Sequence, residues 1–160
     1  MGIFDWFSAL SKGNEHAAKL ALPETMAGSI QATANVNGLD FVAAIEAHRK
    51  WRKRLDDFVE GTTSESLDSS VICRDDQCAL GKWIYADGNT FLGHLPLFHK
   101  LKAEHAGFHI CAAEVVDLSK EGKKDVAKKM VFEGDFAKRS RDVQTILSQL
   151  YMKLKNNDSA

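Results

Sequence analysis

The chain has 160 residues, of which 44% are hydrophobic and 27% are charged, and only two are proline. Length and composition predict one domain with a real core and mostly helical structure. The 21 basic and 22 acidic side chains nearly cancel, which argues against a nucleic-acid-binding surface, and no apolar run approaches the roughly 20 residues that a membrane-spanning helix needs.

The amino-terminal sequence and the cysteines bear on the cellular compartment. The sequence MGIFDWFSAL lacks the basic start and the long apolar stretch of a secretory signal. Cys73, Cys78 and Cys111 are an odd number at irregular spacing, which does not suggest a disulfide framework. We therefore expect a cytoplasmic protein with reduced thiols.

The first 38 residues are predicted to be a short helix and a linker. The apolar residues at positions 3, 6, 7 and 10 share one helical face, so residues 1–12 are expected to form an amphipathic helix. Docking on the domain or on a second subunit is favoured over a membrane-surface or partner-binding role, because only Lys12 lies nearby to attract anionic lipid. Residues 13–38 are rich in small and polar residues and are predicted to be mostly linker.

A strong helical pattern starts at Leu39, with Asp40 as the predicted cap and Gly61 where the helix should stop. Its apolar seam contains Phe41, Ile45, His48, Leu55 and Val59. Residues 62–76 are rich in Ser, Thr and Asp and are predicted to be a loop, anchored by two apolar residues, Val71 and Ile72.

A short helix or turn is predicted from Cys78 to Tyr85, followed by a connection over 89–95. Pro96 is well placed for the first turn of the next helix, which should end at Gly122. Residues three and four apart form its seam: Phe98, Leu101, His105, Phe108, Ala112 and Val115.

The last helix is predicted over about 125–155, with Gly134 as a weak point. Its apolar face comprises Val126, Met130, Phe136, Val143, Leu147, Leu150 and Leu154. Long helices with short connections indicate an all-α, four-helix-bundle-like fold, with a short extra helix or turn that carries Cys78. The predicted helical domain is 39–155, and residues 156–160 are expected to be frayed.

Four residues form a candidate metal site: His48, Cys78, His105 and His109. His105 and His109 are four apart on a predicted helix and so share a face, and His48 lies in the seam of an earlier helix. Three buried imidazoles without partners would be expensive, and one Zn²⁺ would satisfy all of them. Cys78 opens a helical turn, where backbone N–H groups favour a thiolate. Four filled positions indicate a structural or regulatory site rather than a catalytic one.

The remaining histidines and cysteines are weaker candidates. A lone His on an apolar face is usually a core residue, and an HxxxH pair alone is a weak signal. His99 is expected to be solvated, and His94 is a disfavoured substitute ligand. Cys111 lies about 200° around the helix from His109 and is read as a core residue. Cys73 is read as a chance loop thiol, with a thiol that captures oxidised Cys78 as the alternative.

Three segments resemble the chemoreceptor zinc-binding domain family, called CZB. They are His48-Arg49-Lys50-Trp51, Cys78-Ala79-Leu80-Gly81-Lys82-Trp83 and His105-Ala106-Gly107-Phe108-His109. The family's pattern is a His followed three residues later by Trp, a Cys-x-[Leu/Phe]-Gly-x-Trp core and an HxxxH pair, in this order. The resemblance covers roughly residues 39–120, and its specific part is Cys-x-Leu-Gly-x-Trp.

The resemblance implies a helical-bundle homodimer with one zinc per subunit, bound by three His and one Cys. It also implies regulation of chemoreceptors or diguanylate cyclases in response to zinc or to oxidants such as hypochlorous acid. The sequence shows no such output domain, so we expect the chain to act through a chemoreceptor or cyclase partner in trans. A purely structural zinc protein, and a metal-dependent enzyme with water in place of Cys78, are the alternatives; we expect no enzymatic activity.

Overall fold

The computed structural model describes residues 35–157. The helix predicted over 1–12, most of the predicted linker and the last three residues lie outside this range. The division into a linker, a domain over 39–155 and a tail therefore stays a prediction. No helix among residues 35–157 is both long enough and apolar enough to cross a membrane.

The described chain begins with a small antiparallel hairpin where the sequence predicted linker. Strand β1 (Asn35–Val36) pairs with strand β2 (Leu39–Asp40). The two residues between the strands, Asn37 and Gly38, have φ of 49° and 80°. An Asn-Gly pair adopts this left-handed backbone at little cost, which is why it closes two-residue hairpins. The hairpin thus occupies the end of the segment that was predicted to be mostly linker.

Helix α1 (Phe41–Glu60) begins and ends where the sequence predicted. The Asp40 side chain accepts a hydrogen bond from the backbone N–H of Ala43 at 2.9 Å, which satisfies one of the free donors of the first turn. Gly61 has φ of 76° and closes the helix through its N–H to the carbonyls of Asp57 and Phe58. The buried face comprises Phe41, Ala44, His48, Trp51, Leu55 and Val59.

Short helical pieces interrupt two segments that were predicted to be irregular. Helix α2 (Ser69–Ile72) and a 3₁₀ turn (Asp75–Gln77) lie within the predicted loop. Helix α3 (Ala79–Tyr85) confirms the predicted Cys turn, and helix α4 (Asp87–Leu92) replaces much of the predicted connection. Elements of three to six residues are too short to show a helical period, so the sequence pattern missed them.

The carboxy-terminal half contains three further helices. Helix α5 (Pro96–Lys120) confirms the predicted start at proline, and Gly122 follows it with φ of 79°. The predicted single helix over 125–155 is wrong, because the chain forms α6 (Lys124–Phe132) and α7 (Asp135–Asn157). At the break, Glu133 leaves helical geometry with φ of −130°. A Cβ on Gly134 would lie 2.9 Å from Met130 Cα, so this position requires glycine.

Helices α1, α5, α6 and α7 form the bundle, and each packs against the other three. This confirms the all-α, bundle-like fold class, with Cys78 on a separate short segment. Aromatic and aliphatic side chains fill the core, among them Phe98, Phe108, Phe136, Leu101, Val143, Leu147 and Leu150. Val126, predicted on the apolar face, is instead 55% exposed, because α6 is a separate helix with its own orientation.

Candidate metal centre

The bundle brings the four predicted ligand residues together. His48 comes from the middle of α1, Cys78 precedes α3, and His105 and His109 lie one turn apart on α5. Their nitrogen and sulfur ligand atoms all lie within 4.8 Å of one another, and all four residues are buried. Bonds of about 2.0–2.3 Å to one ion require ligand atoms a few ångströms apart, so the cluster has the size of a metal site.

Backbone carbonyls orient two of the three imidazoles. His48 Nδ1 lies 2.7 Å from the carbonyl oxygen of Ala44, and His109 Nδ1 lies 2.7 Å from that of Ile72. A carbonyl only accepts, so each Nδ1 carries the proton and donates it. The Nε2 atoms are then left as acceptors, which is the tautomer that a metal ligand needs. Ile72, predicted as an apolar anchor of its loop, thus positions His109 through its backbone.

His109 Nε2 is buried and has no hydrogen-bond partner in the described part of the chain. An unpaired buried polar atom typically costs about 1–3 kcal/mol, so such atoms are rare in native proteins. Here the orphaned atom belongs to a cluster of three imidazoles and a thiol. A metal ion at this cluster would satisfy it, and the residues therefore fit a metal ion.

Cys78 caps the amino-terminal end of α3. Its Sγ accepts the backbone N–H of Gly81 at 3.2 Å and lies 3.2 Å from His105 Nε2. The backbone of the 3₁₀ turn passes close to α3 at this point. A Cβ on Gly81 would lie only 1.7 Å from the carbonyl oxygen of Asp75. Gly81 thus allows the 3₁₀ turn to pack on α3, which explains the glycine in the Cys-Ala-Leu-Gly segment.

Trp83 fixes the other side of α3 to the protein body. Its Nε1–H donates to the carbonyl of Asn37 in the hairpin at 2.7 Å. Its ring makes edge contacts with Phe41 and Phe98, at centroid distances of 5.7 and 5.9 Å. A Cβ on Gly88 would lie 2.8 Å from the ring. The short Cys helix is therefore held between the hairpin and the bundle.

Burial shifts the pKa values of the three imidazoles and of the Cys78 thiol. Removal from water lowers the pKa of His48 and His105 to about 4 and that of His109 to about 3, because an imidazolium is poorly solvated there. For the same reason, burial raises the pKa of the Cys78 thiol to about 12. The imidazoles are thus neutral and ready to ligate, whereas the thiol needs a cation to lose its proton.

The other sequence candidates lie outside the cluster. His94 and His99 are exposed, so His94 is not a substitute ligand in this arrangement. Cys111 is 9% exposed in the core, as predicted. Cys73 is exposed and its Sγ lies 3.3 Å from the carbonyl of Ser70; its role as a second thiol stays a prediction.

Asp75 was not singled out from the sequence. It lies in the 3₁₀ turn three residues before Cys78, and its Oδ2 lies 3.6 Å from His105 Nδ1. The residue belongs to a polar loop with several Asp and Ser residues. No spacing rule distinguishes one of these carboxylates from the others, so the sequence carried no usable signal.

A comparison with protein-family models matches residues 48–116 to the chemoreceptor zinc-binding domain, CZB. The match includes all four clustered residues and confirms the resemblance seen in the three sequence segments. No curated protein and no solved structure matches the chain.

Proposed function

We propose that this chain, in which residues 48–116 match the chemoreceptor zinc-binding domain family, is a regulatory module that binds one Zn²⁺ per chain. The proposed ligands are His48, Cys78, His105 and His109. The observation that carries the proposal is the buried cluster, with its ligand atoms within 4.8 Å and His109 Nε2 unpaired. Nitrogen and sulfur donors in this combination suit zinc better than the oxygen-preferring cations.

The donor set favours regulation over catalysis. Three imidazoles and one thiolate fill all four coordination positions of a tetrahedral zinc ion and leave none for water or substrate. Catalytic zinc sites keep one coordination position open. The metal-dependent enzyme considered from the sequence needs Cys78 away from the ion. Cys78 Sγ instead lies 3.2 Å from His105 Nε2, inside the cluster, so we favour a four-ligand site without enzymatic activity.

Metal analysis of purified protein and of single variants tests the ligand set. We expect about one zinc per wild-type chain and substoichiometric zinc when His48, Cys78, His105 or His109 is changed to Ala. His94→Ala and Cys73→Ala are matched controls, because both residues are exposed, and both should keep full zinc. Single ligand variants that retain full zinc would show the assignment to be wrong.

We further propose that Cys78 is the element that responds to oxidant. A zinc-bound thiolate is deprotonated and still nucleophilic. With hypochlorous acid, an S–O bond forms as the O–Cl bond breaks, chloride leaves, and the acid's proton remains on the product, a sulfenic acid. Sulfur loses two electrons and chlorine gains them. Sulfenylated Cys78 is a weaker ligand than the thiolate. Loss of its bond to zinc would release α3 from the centre.

Zinc concentration is the rival signal, and a purely structural zinc is the rival role. Reversible zinc exchange within the cellular range, without thiol chemistry, would favour zinc sensing. Zinc that neither exchanges nor leaves on oxidation would favour the structural role. These outcomes are separated by measuring zinc affinity and the rate of oxidant-driven zinc release on the same sample.

The output is proposed to run through protein contacts, as a homodimer in the cytoplasm that acts on a chemoreceptor or diguanylate cyclase partner. The matching family is named for chemoreceptors, and the three cysteines are free rather than disulfide-bonded, as expected in a reducing compartment. Co-purification of the wild type with a candidate receptor or cyclase, against a Cys78→Ala control, tests this part.

A further inference from the structure

One imidazole of the cluster lacks the backbone partner that the other two have. His48 and His109 each donate from Nδ1 to a carbonyl at 2.7 Å. His105 is fully buried, and its Nδ1 has no hydrogen-bond partner within residues 35–157. The atom that faces it is Asp75 Oδ2, at 3.6 Å. A different kind of group must therefore set the tautomer of His105.

The Asp75 carboxylate is held in place from two directions. Its Oδ2 also accepts the hydroxyl proton of Tyr85 at 2.9 Å, and its own backbone carbonyl packs against Gly81 of α3. The side chain is 18% exposed, so the carboxylate can stay ionised beside a buried ring.

We propose that Asp75 is a positioning residue for the metal centre: its carboxylate keeps the proton of His105 on Nδ1 and so directs His105 Nε2 at the ion. The inference rests on the proposed zinc function. A carboxylate paired with a ligating His fixes the ring and raises the basicity of the ligand nitrogen. Asp75 also brings a second negative charge, besides the Cys78 thiolate, to balance a divalent ion.

Four variants, Asp75→Asn, Asp75→Glu, Asp76→Asn and Tyr85→Phe, separate this role from its alternatives. Asp75→Asn keeps the shape of the side chain and removes the charge. Asp76→Asn is the matched control. It removes the adjacent charge of the same 3₁₀ turn, and the Asp76 side chain is 50% exposed. Tyr85→Phe removes the hydroxyl bond to Asp75 and reports whether Asp75 matters only because it anchors the end of α3.

Zinc affinity is measured by competition with a chromogenic chelator, and circular dichroism checks folding. We expect Asp75→Asn to bind zinc about 10- to 100-fold more weakly than wild type and Asp76→Asn to stay close to wild type. Tyr85→Phe should lose less affinity than Asp75→Asn, because it frees the carboxylate without removing its charge, and Asp75→Glu should recover part of the loss. In ¹H–¹⁵N spectra of the zinc-loaded protein, the Nδ1–H signal of His105 should move in Asp75→Asn, whereas those of His48 and His109 should not.

Equal zinc affinity in Asp75→Asn and Asp76→Asn would overturn the inference and leave the zinc site intact. An equal loss in Tyr85→Phe and Asp75→Asn, with the His105 signal unmoved, would reduce Asp75 to an anchor of α3 and overturn it as well. Wild-type protein that binds no zinc would instead overturn the proposed function, and the positioning role with it.

Discussion

At the scale of single residues, backbone contacts organise the centre. Carbonyl oxygens from α1 and from the end of α2 fix His48 and His109. Because burial lowers the pKa of both rings well below neutrality, they stay uncharged and their Nε2 atoms stay free to bind. Neutral rings of this kind can bind a cation near pH 7 without first releasing a proton.

The reactivity of the Cys78 thiol towards oxidant can be tested at the scale of single residues. Exposure alone would make Cys73 the first cysteine to react, since it is exposed and Cys78 is 2% exposed. Zinc binding should make Cys78 reactive despite its burial, because a zinc-bound Cys78 is a thiolate, and replacing Cys73 keeps the exposed thiol from consuming the oxidant. In a Cys73→Ser background, stoichiometric hypochlorous acid should oxidise Cys78 before Cys111 and release zinc, followed with a chromogenic chelator and by mass spectrometry of the cysteines.

The control for this experiment is the wild type. There, capture of oxidised Cys78 by Cys73 would appear as a Cys73–Cys78 disulfide. Sensing through Cys78 would be refuted if zinc stayed bound while Cys78 was oxidised. It would also be refuted if Cys78→Ser, given enough zinc to load it, released zinc on oxidation as the wild type does.

At the scale of elements, α3 links the candidate metal centre to the hairpin. Cys78 lies at its start and Tyr85 at its end, and Trp83 joins it to the hairpin. This element depends on close packing at Gly81. A side chain there cannot be accommodated without moving the Asp75 carbonyl, because the clash is with backbone rather than with a flexible side chain.

We therefore expect Gly81→Ala to lower the free energy of unfolding by roughly 1–3 kcal/mol and to weaken zinc binding with it. Gly122→Ala is the control. Gly122 has φ of 79° and open space around it, so its change should cost about 1–2 kcal/mol through backbone strain and leave zinc affinity unchanged. Chemical denaturation and chelator competition measure the two quantities, and unchanged zinc affinity in Gly81→Ala would contradict the role given to this turn.

The elements that the sequence predicted well are those with explicit end signals. Asp40 and Gly61 bound α1, and Pro96 and Gly122 bound α5. The break before α7 was missed because a single glycine is tolerated within a helical pattern, and Gly134 alone marked it.

The clustering of the three histidines was predictable because imidazoles in an apolar seam need partners. The contacts that orient them were not, because the carbonyl of Ile72 and the carboxylate of Asp75 reach the site through tertiary packing. No local pattern encodes which carbonyl or which carboxylate of a loop will meet a given ring.

At the scale of the whole molecule, the start of α1 and the end of α7 expose apolar side chains together. Val42 is 52% exposed and Met152 is 59% exposed. Their neighbours Phe41 and Tyr151 contact each other, with ring centroids 5.7 Å apart, so the two exposed residues lie at the same end of the bundle. We propose this end of the bundle as a surface that contacts a partner.

The expected partner is a second copy of the chain in a symmetric dimer. Sedimentation at micromolar concentration should show a dimer, and the Val42→Asp, Met152→Asp double variant should shift it towards monomer. Ile110→Asp is the matched control, since Ile110 is 60% exposed on α5 and its change should leave the dimer intact. A wild type that sediments as a monomer throughout would remove the homodimer from the account.

The central claim is a closed zinc site made of three imidazoles and one thiolate, and zinc K-edge X-ray absorption on the purified wild-type protein tests it most directly. We predict a four-coordinate first shell with one sulfur at about 2.3 Å and three nitrogens at about 2.0–2.1 Å, together with the outer-shell scattering of imidazole rings. A first shell without sulfur, or with an oxygen in place of one of the four ligands, would contradict the account.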